Sequence, residues 1–175
     1  EAANLWMGLD NGISVLNLNS RFKEYIDKKG TLGLVYAAIY TDDMFYIGTN
    51  QGLFYKPLDE DVKFTLVENT KGQVWSLKSI DGELFCGHNS GTFLVKGNKA
   101  TLISDFQGTW VVKKIPNTNE FLLQGNHAGL SVLQKKDGRW RLRNIIKGFT
   151  VSSRFVEFID AYNILVNNEF KGVYS

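Results

Sequence analysis

The feature that most constrains this chain is a segment that recurs along its length. It reads LWMGLDNGISVL at 5 to 16, FYIGTNQGLFYK at 45 to 56, LFCGHNSGTFLV at 84 to 95 and FLLQGNHAGLSVL at 121 to 133, with a degenerate copy, ILVNNEFKGVYS, at 164 to 175. Each copy carries a spaced pair of glycines: Gly8 and Gly12, Gly48 and Gly52, Gly87 and Gly91, Gly125 and Gly129, with Asn168 and Gly172 read as the last pair. The first members of successive pairs lie 40, 39, 38 and 43 residues apart. A steady period of this length marks one supersecondary unit that cannot bury its apolar face alone and stacks on its neighbours.

The interior of each unit follows one grammar. An aromatic-led run (VYAAIY 35 to 40, VWSLKSI 74 to 80, WVVKKI 110 to 115, RFVEFI 154 to 159) meets a turn signal, TDD, DGE, PNTNE or DAYN. A second strand ends at the first glycine of the pair, a third begins at the second glycine, and a fourth follows a polar gap: KFTLVE 63 to 68, ATLISD 100 to 105, RWRLRNI 139 to 145. Four short strands in a period of about 40 residues define a β-propeller blade. No segment sustains helical periodicity over three turns, and the nearest candidate, SRFKEYIDKKG at 20 to 30, sits where a fourth strand is due. The fold expected is therefore all-β, an open arc of about five four-stranded blades cut from a larger, seven-bladed propeller. Its units are a partial blade at 1–32, blades at about 33–70, 71–107 and 108–148, and a partial blade at 149–175.

Composition agrees and removes several classes of function. The chain has 12 Phe, 7 Tyr, 4 Trp and 17 Gly against 2 Pro, which favours aromatic strands joined by glycine turns. A net charge of +2 without basic runs gives no electrostatic footprint for nucleic acid. The longest apolar runs, such as LGLVYAAIY at 32 to 40, fall short of the ~20 residues a membrane helix needs. The single cysteine, Cys86, excludes an internal disulfide and is expected to pack as a small hydrophobe. The first residues, EAANLWMGLDNG, lack a leader pattern and enter a strand at once, so they read as a cut inside a longer protein.

At LWMGLDNGISVLNL, FYIGTNQGLFYK and VWSLKSIDGELFCGHNSGTFLV the sequence resembles the two-component-regulator propeller repeat, an aromatic strand and a D-G turn followed by G-T-x-x-G-L. The last segment, SSRFVEFIDAYNILVNNEFKGVYS, resembles the final blade before the triple-tyrosine Ig-like domain of such receptors. The resemblance implies a periplasmic sensor region in carbohydrate-utilising Gram-negative bacteria. In such proteins a membrane helix follows, and then a histidine kinase with response regulator or a LuxR-type helix-turn-helix. It further implies an oligosaccharide ligand, the remaining blades of the parent as partners, a receptor homodimer, and membrane attachment only through the parent chain. Two positions depart from the repeat: Asn168 stands for the first glycine in the last copy, and PNTNE replaces the D-G turn in the third blade.

Candidate site residues fall into two sets. His88, Asn89, Asn126 and His127 lie between the paired glycines, where they read as turn residues exposed on one face and open to a ligand. The middle slot holds Asp10, Asn50, Asn89 and His127, three of them Asp or Asn, types that tolerate left-handed backbone. His88 and His127, the only histidines, find no third His or Cys, so neither a metal nor another cofactor is expected. Tyr36, Trp75, Trp110 and Phe155 head the first strands, where aromatics pack between blades or stack on a sugar ring. Arg154 beside Phe155 adds a charged donor suited to an acidic glycan. Trp140, in an outer strand, packs or faces solvent. No nucleophile elbow, Walker loop or converging carboxylate pair stands out, so catalysis is not expected of this segment. A protein-interaction scaffold and, less favoured, a propeller glycan hydrolase or lyase are the alternatives; against the scaffold, the W-D dipeptide of WD repeats never occurs.

Overall fold

The computed structural model of the chain describes residues 3–22, 30–58 and 62–175. The chain divides into two compact units, Glu1–Gly30 and Thr31–Ser175. The first contains one antiparallel hairpin, β1 (Asn4–Leu9) and β2 (Gly12–Asn17). Residues 23–29, on which the expected fourth strand of that blade falls, lie outside the described residues.

The second unit is a succession of antiparallel sheets, each with its strands in chain order. One blade comprises β3 (Val35–Thr41), β4 (Met44–Thr49), β5 (Leu53–Pro57) and β6 (Thr65–Leu66). The next comprises β7 (Val74–Ile80), β8 (Glu83–His88), β9 (Gly91–Lys96) and β10 (Lys99–Ser104). A third is built from β11 (Val111–Lys114), β12 (Phe121–Asn126), β13 (Gly129–Lys136) and β14 (Arg139–Ile145). The last has three strands, β15 (Phe155–Phe158), β16 (Ile164–Asn168) and β17 (Gly172–Tyr174). There is no helix among the described residues, and the architecture is the all-β propeller read from the repeat.

The pleat explains how one sheet serves two neighbours, because successive side chains point to opposite faces. In β8, Leu84 and Cys86 join a cluster with Tyr46, Leu53 and Val67 of the preceding blade, while Phe85 between them packs with Val112, Leu122 and Trp140 of the following one. The parity repeats in β12: Leu122 faces backward, and Leu123 faces forward onto Val156 and Val166. Each such buried side chain contributes about 1.5–3 kcal/mol of transfer free energy. Cys86 is fully buried in this core, and burial pushes its thiol pKa up to about 12.

The paired glycines do two different jobs. At Gly48, Gly87 and Gly125 the backbone angle is ordinary, but an added Cβ would collide with the chain approaching the next blade's first strand: with Val74, the Thr109 carbonyl and the Ser153 carbonyl respectively. The second glycines carry the positive φ, from 94° at Gly172 to 154° at Gly52. The left-handed backbone expected at Asp10, Asn50, Asn89 and His127 is absent there. Among non-glycine residues it falls instead on Asp42, Asp43, Asp81 and Asn117 in the first-to-second-strand turns, on Asp137 in the third-to-fourth and on Asn69 after β6.

Register corrects the last repeat as well. The residue opposite the second glycine is Leu9, His88, Asn126 or Asn168. Asn168 is thus the counterpart of His88 and Asn126, and Asn167, opposite Val173, takes the first-glycine position. The earlier hairpins enclose two residues, such as Asn89 and Ser90 or His127 and Ala128; the last encloses Glu169, Phe170 and Lys171.

The outer strand β6 is shorter than the run KFTLVE suggests. Past Leu66 the chain turns to the next blade, where the Glu68 amide donates to the Asn98 carbonyl at 2.8 Å and the Ala100 amide donates to Glu68 at 3.1 Å.

Candidate functional site

The residue that precedes the partner of the first-glycine position is Tyr36, Trp75, Trp110 and Arg154 in successive blades. It is fixed by the pairs Ala37 with Gly48, Ser76 with Gly87, Val111 with Gly125 and Phe155 with Asn167. In β3 and β7 this residue is bulged out of the ladder, a device that re-aims a side chain. Four equivalent side chains therefore form a row at one end of the inner strands. The ring centroids of Tyr36 and Trp75 lie 5.3 Å apart, those of Trp75 and Trp110 4.5 Å apart, and the Arg154 guanidinium lies 5.1 Å from the Trp110 ring. Tyr36 is 42% exposed, Arg154 is exposed, and the two tryptophans are half-buried. Phe155, expected at the head of the last blade, is one position further on, its ring 5.5 Å from the Arg154 guanidinium, beside a groove of about 310 Å³ that Arg154, Leu165 and Val173 also line.

His127 belongs to this row. Its ring sits 4.7 Å from Trp110 and 5.9 Å from Trp75, resting on Gly108, where any side chain would overlap it. Burial lowers its pKa, favouring the neutral imidazole. The Nε2 atom of His127 and the indole Nε1 of Trp75 are buried without a hydrogen-bond partner. The Trp110 indole donates to Ser152 Oγ at 3.2 Å.

At Arg154 the row becomes ionic. Glu169 Oε1 accepts from Arg154 Nη1 at 2.5 Å, and both side chains remain about half exposed. Glu169 is the first residue of the last hairpin loop, the position His127 holds one blade earlier. The imidazole-on-indole contact of the third blade is thus replaced by carboxylate on guanidinium in the fourth.

Three of the hairpin candidates stand apart from the row. His88 is 4% exposed, not surface-facing: its Nδ1 accepts from the Ser90 amide at 3.0 Å and its ring meets the edge of Phe93. Burial depresses its pKa, against backbone groups of Thr70 and Lys71 that favour the charged form. Asn126, also expected on the surface, is completely buried. It donates from Nδ2 to Thr109 Oγ1 at 3.0 Å and to the Phe106 carbonyl at 3.3 Å, and accepts from Ser131 Oγ at 2.8 Å. Thr92, Gln124 and Ser131 complete that buried network, which fixes Thr109 and with it the neighbouring Trp110. Asn89 is exposed, as expected.

Sequence reasoning missed Gly33, Gly72 and Gly108, which lie against Asn50, His88 and His127. Their signal was present as a glycine two or three residues before each row aromatic, in GLVY, GQVW and GTW. It also missed Glu169, whose role depends on loop length. Among the described residues no group of three or more His, Cys, Asp or Glu side chains gathers as a metal site.

No family profile matches the chain, and no curated protein does. Solved structures do. The WD40 β-propeller domain of Doa1 superposes with a TM-score of 0.58 at 14% identity, over 93% of this chain and 53% of that one. The computationally designed Ika4 protein gives 0.59 at 11% identity, over 87% and 96%. The extracellular domain of a hybrid two-component system from B. thetaiotaomicron gives 0.59 at 15% identity, over 98% of this chain and 25% of that domain. The chain thus spans about half of the first structure and a quarter of the last. At these identities the likeness establishes one thing, that the chain has the β-propeller fold.

Proposed function

We propose that this chain is a non-catalytic, ligand-binding propeller segment of an extracytoplasmic bacterial signal receptor, with an oligosaccharide as its ligand. The observation that carries the reading is the row Tyr36, Trp75, Trp110 and Arg154, one equivalent residue from each of four blades. Aromatic faces suit the apolar face of a sugar ring, and the half-exposed Arg154 guanidinium adds a charged donor. The likeness to the extracellular domain of a hybrid two-component system supports an extracytoplasmic sensor setting; the proposal adds the parent's remaining blades, a receptor homodimer and a kinase or helix-turn-helix output elsewhere in the parent. A protein-interaction scaffold is the second reading, favoured by the comparable likeness to a WD40 domain.

Calorimetry against a panel of neutral and acidic oligosaccharides tests the proposal. The expected result is a heat of binding that Trp110→Ala weakens by roughly tenfold, the weight of about one stacked ring, with circular dichroism confirming that the variant folds. No heat with any glycan returns the row to a purely structural role and favours the scaffold.

A further inference from the structure

Building on that reading, we infer that the ligand is an acidic oligosaccharide whose carboxylate binds Arg154, and that Glu169 occupies this guanidinium until the ligand displaces it. The row supplies the first reason. Three of its four equivalent positions are aromatic and the fourth is a guanidinium held over the neighbouring indole, so a chain of sugar rings laid along the row ends on a positive charge. Arginine is suited to pairing with carboxylates, and Arg154 already donates to one, through a single contact from Nη1 to Glu169 Oε1 at 2.5 Å. The protein's own carboxylate therefore shows which chemistry the position accepts.

The second reason is how Glu169 gets there. The last hairpin encloses three residues where its counterparts enclose two, and it delivers an acid to the place where the third blade has His127 packed on Trp110. With both partners about half exposed, the pair is of the marginal kind that a competing anion can replace. The loop is tied to the row as well, since Asn168 Nδ2 donates to the Ser152 carbonyl at 3.0 Å and the Trp110 indole donates to the hydroxyl of the same serine. Displacing Glu169 releases the hairpin's link to Arg154, and because the Phe170 and Lys171 amides still donate to Asn168 Oδ1 at 3.1 and 2.9 Å the loop keeps its shape and the hairpin moves as a unit.

The test is titration of the chain with tetragalacturonate and with neutral galactotetraose, using wild type, Glu169→Gln and Arg154→Gln. Expected are a salt-sensitive affinity for tetragalacturonate, roughly threefold tighter in Glu169→Gln, where the internal competitor is gone, and roughly tenfold weaker in Arg154→Gln. Galactotetraose affinity stays the same in Glu169→Gln and falls by a smaller factor than tetragalacturonate affinity in Arg154→Gln, which also removes the cation over Trp110. Neutral and acidic sugars binding alike, with Arg154→Gln without effect, overturns the inference and leaves the glycan site standing. An unaltered tetragalacturonate affinity in Glu169→Gln overturns the displacement. Binding of neither sugar to wild type overturns the inference, while the glycan-binding reading falls only if the broader panel gives no heat either.

Discussion

A single hydrogen atom decides what Gly125 is for. Its φ is not in the left-handed region, so alanine is acceptable to the backbone, yet the added Cβ would overlap the Ser153 carbonyl of the next blade and press on Val111. No side-chain substitution relieves a clash with a carbonyl. The Ser153 amide also donates to the Asn126 carbonyl at 3.0 Å, so pushing the strand away strains that bond too. Gly125→Ala is expected to cost about 1–3 kcal/mol, read as a lower urea midpoint. Gly138 is the opposite case, with φ at 72° and open space around it. There alanine costs only the backbone term, about 1–2 kcal/mol, and asparagine, which tolerates left-handed backbone, recovers part of it. Equal losses for alanine and asparagine at Gly138 would count against this division of roles.

Between elements, one polar fastening of the second and third blades is Glu83 at the start of β8. Its Oε2 accepts from Lys135 Nζ at 2.6 Å and from the buried Trp140 indole at 2.9 Å. Burial alone would raise its pKa, but the bonds from Lys135 and Trp140, with the charges of Lys135 and Lys96, hold it below the ordinary 4.5. A carboxylate with a depressed folded pKa stabilises the native state above its unfolded pKa, and that contribution is lost as pH falls through the folded value. Glu83→Gln should therefore cost about 1–2 kcal/mol at pH 7, and the gap in denaturation midpoint between variant and wild type should close below pH 4.5. These elements were largely legible beforehand: β7 and β14 coincide with VWSLKSI and RWRLRNI, because alternation and turn residues set their limits. The site was legible in part. Tyr36, Trp75, Trp110 and Arg154 announce themselves near the strand heads, whereas the equivalence of Arg154, not Phe155, to the three aromatics emerges only from register, since a bulge sets the row residue apart in β3 and β7. The burial of His88 and Asn126 was hidden because a hairpin slot looks the same whether solvent or the next blade covers it.

Taken as a whole, the Thr31–Ser175 unit is a one-dimensional stack, in which each blade's stability is the sum of its own sheet and its interfaces with neighbours. The blades β7–β10 and β11–β14 bury apolar side chains on both faces, in clusters shared with the blades before and after them. The β15–β17 blade is anchored on one face by Val156 and Val166, while Phe155, Leu165 and Val173 on the other remain exposed. Cooperative openings should therefore begin at this blade and travel inward. In native-state hydrogen exchange, amides of β8, β9, β12 and β13 should be the slowest to exchange, approaching the global stability, and those of β16 and β17 should exchange through smaller openings. A ligand held between Trp110 and Arg154 bridges the third and fourth blades, so it should slow exchange in β16 and β17 more than in β8 and β9. Protection in β16 equal to that in β12 without ligand would show that the last blade folds as one unit with the third, and would remove the basis for a hairpin that moves independently.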